Sequence, residues 1–153
     1  MNSIEYDAFE NCTSLTSVTI PSSVTSIDYG AFAGCSTLSA VEINCQDVGN
    51  WFSGMISIKE LKLGSGVKKI GSTAFSNCKE LTDVYCYAET VPSTDGNVFY
   101  GSYIEYSTLH VPAASIDAYK STAPWSGFMT IVGITGTEPS TYNLIYMVDG
   151  IRV

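Results

Sequence analysis

Residues 31–43 read Ala-Phe-Ala-Gly-Cys-Ser-Thr-Leu-Ser-Ala-Val-Glu-Ile, and roughly the first two-thirds of the chain consists of imperfect copies of this stretch. Its five spaced apolar positions are Phe32, Cys35, Leu38, Val41 and Ile43. The same five residue types occur 23 residues earlier, as Phe9, Cys12, Leu15, Val18 and Ile20. Five matches at one offset indicate an internal repeat rather than chance similarity.

Three further copies follow along the chain. The third is shifted by 20 residues, and the fourth returns to a shift of 23. Their apolar positions are Phe52, Met55, Ile58, Leu61 and Leu63, then Phe75, Cys78, Leu81, Val84 and Cys86. A fifth, degenerate copy keeps Phe99 and the segment 108–112, in which Leu109 and Val111 take the places of Val84 and Cys86.

A unit of this length cannot bury its own apolar side chains, so neighbouring copies must bury them by stacking into a solenoid. The alternation in Val41-Glu42-Ile43, and at the same place in the other copies, has the period of two that directs one side of a strand inward. The sequence therefore predicts a repeat solenoid of about five short parallel strands. Turns or short helices, built around the Ala-Phe pairs, are expected on the opposite side.

The repeats account for residues 1–112, and the chain opens inside one of them. Residues 21–32 are echoed by residues 64–75, and Ile4 matches Ile27 at the same shift of 23. We expect the first repeat to be truncated and its incompletely capped end to allow end-to-end self-association. The remaining segments are predicted as a helix-containing cap at 113–134, a linker at 135–141, and the start of a truncated β-domain or a strand extension at 142–153.

These spacings resemble the BspA-type leucine-rich repeat, whose pattern is Ala-Phe-x-x-Cys-x-x-Leu-x-x-Val-x-Ile-Pro followed by a Val-x-x-Ile turn. Residues 8–21 match nearly every position, whereas the third copy has Met55 in place of Cys and Trp51 in place of Ala. The resemblance implies a right-handed leucine-rich-repeat stack in an extracellular or surface-anchored bacterial protein used for adhesion. Residues 142–153 are similar to the opening of an internalin B-repeat-like β-domain.

Composition narrows the classes of function. A net charge of −8 argues against nucleic acid and anionic membrane surfaces, both of which require clustered Lys and Arg. No apolar run approaches the ~20 residues of a membrane-spanning helix. Cofactor motifs and paired catalytic carboxylates are also lacking from the sequence, so we predict no cofactor, no metal and no enzymatic activity.

The five cysteines occupy repeat positions rather than a metal-binding motif. Cys12, Cys35 and Cys78 occupy the same position in the first, second and fourth copies. Their spacing provides neither CxxC pairs nor alternating Cys and His. We interpret them as small buried thiols. If a disulfide forms, Cys45 is the expected participant. His110, the single histidine, is expected to be structural or solvent-facing.

Candidate binding residues lie where strand side chains point outward, because a solenoid presents them in register on its predicted concave face. They are Glu42, Glu60, Lys62, Asp83, Tyr85 and His110. A second candidate region is the tyrosine-rich segment that contains Tyr87, Tyr100, Tyr103 and Tyr106. Tyrosine is common at recognition surfaces, but the degenerate fifth copy also needs aromatic residues to fill its core. Of the five tyrosines from Tyr85 to Tyr106, Tyr85 is the one that we expect to be exposed.

The sequence is compatible with two functions. The first is a non-enzymatic adhesion module that binds a host or bacterial surface protein, or a glycan, through the concave face and the tyrosine-rich segment. The second is a passive scaffold or spacer that presents neighbouring domains. The linker-like composition of residues 135–141 favours this second function.

Overall fold

A computed structural model describes residues 2–6, 8–28, 30–134, 146–148 and 151–152, with side chains up to residue 134. The described strands, in chain order, are β1 (Ser3–Ile4), β2 (Leu15–Ile20), β3 (Ser26–Ile27), β4 (Ala40–Ile43), β5 (Asp47–Val48), β6 (Glu60–Leu63), β7 (Lys69–Ile70), β8 (Asp83–Cys86), β9 (Ser93–Thr94), β10 (Thr108–Pro112), β11 (Thr130–Ile134), β12 (Tyr146–Val148) and β13 (Ile151–Arg152). One α-helix, α1 (Ile116–Lys120), and three 3-10 helices, Ile104–Tyr106, Ala113–Ser115 and Trp125–Gly127, complete the described structure.

The main sheet contains six parallel strands in the order β11-β10-β8-β6-β4-β2. Each strand pairs with the next without a shift, so that Val18 pairs with Val41, Val41 with Leu61, and Leu61 with Val84. This register confirms the predicted repeat solenoid. The sixth strand, β11, extends the sheet beyond the about five strands that the repeat count predicts. It forms because Ile131, in the segment predicted as a cap, pairs with Leu109 and packs against the core.

The opposite side of the solenoid is made of two-residue strands and turns. Strands β5, β7 and β9 form a small parallel sheet, and β1 pairs with β3 in another. The isoleucines of the Val-x-x-Ile segments lie in these short strands; Ile27 and Ile70 are both buried. The repeating Ala-Phe pairs form turns rather than helices.

A column of phenylalanine rings runs along the interior, one ring from each repeat. Successive ring centroids are separated by 5.2, 5.1, 6.5 and 6.0 Å. The members, which we call the phenylalanine column, are Phe9, Phe32, Phe52, Phe75 and Phe99. Its inner members are fully buried, and each large apolar side chain taken from water contributes about 1.5–3 kcal/mol.

The C-terminal cap closes the last open ring of the column. Trp125 and Phe128 approach Phe99 edge-on, with centroid distances of 5.7 and 5.4 Å, and Tyr119 of α1 packs edge-on against Trp125 at 5.3 Å. Ser115 ties this region to the preceding repeat by donating a hydrogen bond to the Glu89 carbonyl at 2.7 Å. Without this cover the apolar surface of the last repeat would face water.

The far C-terminal strands return to the opposite edge of the sheet. Strand β12 pairs antiparallel with β2, so that Tyr146 is opposite Val18 and Met147 is opposite Ser17. Strands β12 and β13 also pair antiparallel. The linker predicted at 135–141 lies outside the described residues.

Candidate functional site

The outward side chains of the five central strands form a continuous surface, which we call the outer sheet face. Strand register aligns them in two rows because paired positions in a parallel sheet point to the same side. One row contains Ser17, Ala40, Glu60, Asp83 and Thr108, and the other contains Thr19, Glu42, Lys62, Tyr85 and His110. The six residues predicted as the concave-face site therefore lie together on one surface.

The aromatic part of the outer sheet face is a stack centred on Tyr85. The His110 ring lies parallel to the Tyr85 ring, with 4.1 Å between centroids and 7° between planes. From the neighbouring strand, Lys62 places its Nζ 5.6 Å from the Tyr85 centroid, which is within the range of a cation–π contact. Tyr87 follows Tyr85 by two residues in the chain, and its ring stacks on the Tyr85 ring with 6.3 Å between centroids.

Four of the ionisable groups on the outer sheet face form two pairs. Glu60 Oε1 lies 3.6 Å from Lys62 Nζ, and Asp83 Oδ1 lies 2.9 Å from His110 Nε2. Burial, together with the Glu60 and Asp83 carboxylates, raises the pKa of the Tyr85 phenol, so this side chain stays protonated and can donate a hydrogen bond. These contacts orient the side chains before any partner arrives.

The sequence analysis missed one residue of this surface, Asn44, and one contact, that between His110 and Asp83. Asn44, which follows β4, donates a hydrogen bond from Nδ2 to Glu42 Oε2 at 3.2 Å. The pairing of His110 with Asp83 joins residues 27 positions apart, but it follows from strand register once β8 and β10 are aligned. The expectation that Tyr85 would be the exposed tyrosine is wrong, because its neighbours cover much of the ring.

The tyrosine-rich segment does not form a single cluster. Tyr87 belongs beside the outer sheet face, whereas Tyr100, Tyr103 and Tyr106 are surface residues of the loop that precedes β10, with exposed fractions of 70%, 50% and 86%. They therefore do not fill the core of the degenerate repeat. Tyr100 and Tyr103 line a shallow cleft of ≈ 390 Å³, together with Asn77, Lys79, Phe99, Gly101, Ile104 and Glu105.

All five cysteines are free thiols, and all except the partly exposed Cys12 are buried. Cys35 and Cys78 donate hydrogen bonds to the carbonyls of Phe9 and Phe52, each in the preceding repeat, at 3.0 and 3.4 Å. Burial raises the pKa of the Cys45 thiol to about 11 and that of Cys78 to about 12, so both are protonated and unreactive near neutral pH.

In the fifth repeat, Ser102 occupies the position that cysteine holds in the first, second and fourth repeats, three residues after Phe99. Its hydroxyl donates to the Phe75 carbonyl at 2.5 Å and accepts a hydrogen bond from the Cys78 amide at 2.9 Å. Sequence reasoning passed over this residue, although the constant spacing of three residues from Phe99 was a usable signal.

The chemistry available on these surfaces is recognition by hydrogen bonds, charge and aromatic contact. Among the described residues, no three His, Cys, Asp or Glu side chains lie close enough together to hold a metal ion. Within the same residues, no helix is long and apolar enough to cross a membrane.

Comparison with known protein families identifies the repeats. The family model of the BspA type leucine rich repeat region matches residues 2–121 in six copies. A search of the curated proteins finds no match.

Proposed function

Because the chain belongs to the BspA-type leucine-rich repeat family, we propose that it is an adhesion-type protein-binding module of a bacterial surface or secreted protein. Leucine-rich repeats are generally non-enzymatic and commonly mediate protein binding, and those of the BspA type are typically found on bacterial surfaces. The partner in this proposal is a host or bacterial surface protein.

The observation that carries the proposal is the arrangement of the outer sheet face. Its side chains stand on a hydrogen-bonded sheet in strict register, so the backbone beneath them loses little freedom when a partner binds. The stack of Lys62, Tyr85 and His110 combines aromatic area with polar groups, which is typical of residues that dominate binding energy.

Charge indicates the kind of protein surface that fits. Three carboxylates, those of Glu42, Glu60 and Asp83, share this face with the single ammonium group of Lys62. The whole chain carries a net charge of −8. We therefore expect the partner to present lysine or arginine, and we expect association to slow as salt screens the attraction.

The test is capture of binding partners from surface-protein extracts by the immobilised chain. The site variant combines Glu42→Ala, Lys62→Ala and Tyr85→Ala. The matched control combines Tyr6→Ala, Glu10→Ala and Lys120→Ala, three exposed residues of the same types outside the outer sheet face. We expect the control to retain a captured protein and the site variant to lose it. Equal capture by both folded variants would refute the proposed role of this face.

The alternative function is a passive spacer that presents neighbouring domains, and the Gly-, Thr-, Ser- and Pro-rich composition of residues 135–141 is the observation that favours it. A spacer makes no specific contact through its own surface. Capture that is absent in the wild-type chain, but present in longer versions of the protein, is the result expected of this alternative.

A further inference from the structure

The cleft lined by Tyr100 and Tyr103 shares no lining residue with the outer sheet face. We infer that it binds a neutral pyranose unit of an oligosaccharide. Its ≈ 390 Å³ volume lies within the range of small-ligand sites. Tyrosine rings provide apolar faces for the C–H faces of a sugar ring, and the amide, ammonium and carboxylate groups at the rim provide hydrogen-bond partners for its hydroxyls.

The segment that carries the tyrosines is anchored from below. Ser102, between Tyr100 and Tyr103, is fully buried and bonded through its hydroxyl to Phe75 and Cys78 of the previous repeat. The Asn77 amide also donates to the Tyr100 carbonyl at 2.7 Å. These bonds hold the backbone that carries the two exposed tyrosines, so the backbone loses little conformational entropy when a ligand binds.

Tyr103 has a backbone conformation that does not suit its side chain. Its φ of 53° and ψ of 43° lie in the left-handed region, which glycine and asparagine tolerate and in which a bulky residue is strained. Among the described residues, the other non-glycine residues with positive φ are Asn11, Asn77, Asn97 and Thr73, so Tyr103 is the one aromatic residue in this conformation. A half-exposed tyrosine at such a position contributes little burial to offset its strain, and strained residues of this kind cluster at ligand sites.

The polar groups of the cleft are free to meet a ligand. Within the described residues, the side chains of Asn77, Lys79 and Glu105 have no hydrogen-bond or ion-pair partner, in contrast to the paired charges of the outer sheet face. One ammonium and one carboxylate balance each other, and the net charge of −8 on the chain opposes acidic sugars. Charge therefore favours a neutral sugar over a sialic or uronic acid.

Saturation-transfer NMR with four neutral oligosaccharides at millimolar concentration tests this inference: cellopentaose, chitopentaose, mannopentaose and maltopentaose. We expect at least one to receive saturation from the wild-type chain. Tyr100→Ala should weaken that binding about tenfold or more, since a stacked ring supplies roughly that factor. The matched control is Tyr6→Ala, which removes an equally exposed tyrosine outside the cleft and should leave binding unchanged.

Tyr103→Gly separates a binding role from a structural one. Glycine relieves the strained backbone, so thermal stability should be kept or raised while oligosaccharide binding is lost. The inference is overturned if none of the four sugars binds the wild-type chain, or if Tyr100→Ala and Tyr103→Gly bind as the wild type does. Because these variants leave the outer sheet face intact, failure here is distinguishable from failure of the proposed protein binding.

Discussion

At the scale of single residues, the same turn position adopts the left-handed conformation in all five repeats. It lies two residues after the phenylalanine, and its φ values are between 57° and 76°. The occupants are Asn11, Gly34, Gly54, Asn77 and Gly101. Asparagine and glycine are the residues that tolerate this region, so this station of the turn selects them.

Where asparagine precedes glycine along the stack, the asparagine side chain uses the space that the glycine leaves open. A Cβ atom on Gly34 would lie 2.0 Å from Asn11 Oδ1, and one on Gly101 would lie 2.3 Å from Asn77 Oδ1. Gly54, which has a glycine before it in the stack, has no atom within 4 Å of such a Cβ. The same conformation therefore carries a steric restriction at two positions and not at the third.

This difference predicts a graded response to alanine. Gly54→Ala adds backbone strain alone and should lower the free energy of unfolding by about 1–2 kcal/mol. Gly34→Ala adds a clash with Asn11 and should cost more. Gly66→Ala, where φ is not positive and no atom is near, is the control that should change stability little. Chemical denaturation of the three variants gives the comparison.

The order Gly34→Ala, Gly54→Ala, Gly66→Ala is the essential result. If Gly34→Ala costs no more than Gly54→Ala, contact with Asn11 has no energetic weight. Adding Asn11→Gly to Gly34→Ala should recover part of the lost stability, since glycine removes the atom that clashes and tolerates the positive φ of position 11.

At the scale of elements, the phenylalanine column joins the repeats to one another and to the cap. An inner ring packs between the rings of two neighbouring repeats, whereas Phe9 stands at the N-terminal end of the column, stacks on Phe32 and is partly buried. The column depends on neighbours, because a single repeat offers its phenylalanine no partner.

Position in the column therefore decides the effect of removing a ring. Phe52→Ala leaves a cavity between two repeats and should cost about 3–5 kcal/mol of unfolding free energy. Phe9→Ala should cost clearly less, since Phe9 is only partly buried and the end of the column relaxes more easily. Tyr6→Ala, an exposed aromatic, serves as the control in urea unfolding. Equal costs for Phe52→Ala and Phe9→Ala would contradict this description of the column.

At the scale of the whole molecule, buried thiols make stability depend on alkaline pH. Burial raises the pKa of Cys45 to about 11 and of Cys78 to about 12, from about 9 for an exposed thiol, and it also raises the pKa values of Cys35, Cys86 and Tyr119. Above about pH 9 the unfolded chain loses these protons while the folded chain keeps them. Stability is therefore fully present below about pH 9 and falls as the pH rises toward about 11–12.

The expected slope is about 1.4 kcal/mol per pH unit for each buried thiol within this window. Urea unfolding at about pH 8 and about pH 10.5 measures it, with reductant present to prevent oxidation. The double variant Cys45→Ala and Cys78→Ala should show a smaller loss over the same interval. If the free energy of unfolding of the wild type stays constant up to about pH 10.5, these thiols ionise as easily in the folded chain as in the unfolded chain, and the prediction is wrong.

Much of the candidate site could be read from the sequence, because outward positions follow directly from the repeat. Glu42, Lys62, Tyr85 and His110 fall in one row once the copies are aligned. The contacts among them could not be read in this way. Whether Tyr85 is open or covered depends on the lengths and directions of side chains from three strands, and whether Tyr103 is exposed depends on the anchoring of Ser102.

The sequence by itself determined the repeat, its phase, the inward residues and the parallel stacking, because short units with a fixed apolar spacing have no other way to bury their side chains. Tertiary structure alone decided the sixth strand, the pairing of β12 with β2 and the cleft beside Tyr103. These features join segments that share no repeat spacing. Their formation depends on which edges and surfaces the stacked repeats leave uncovered, and that is settled only when the chain has folded.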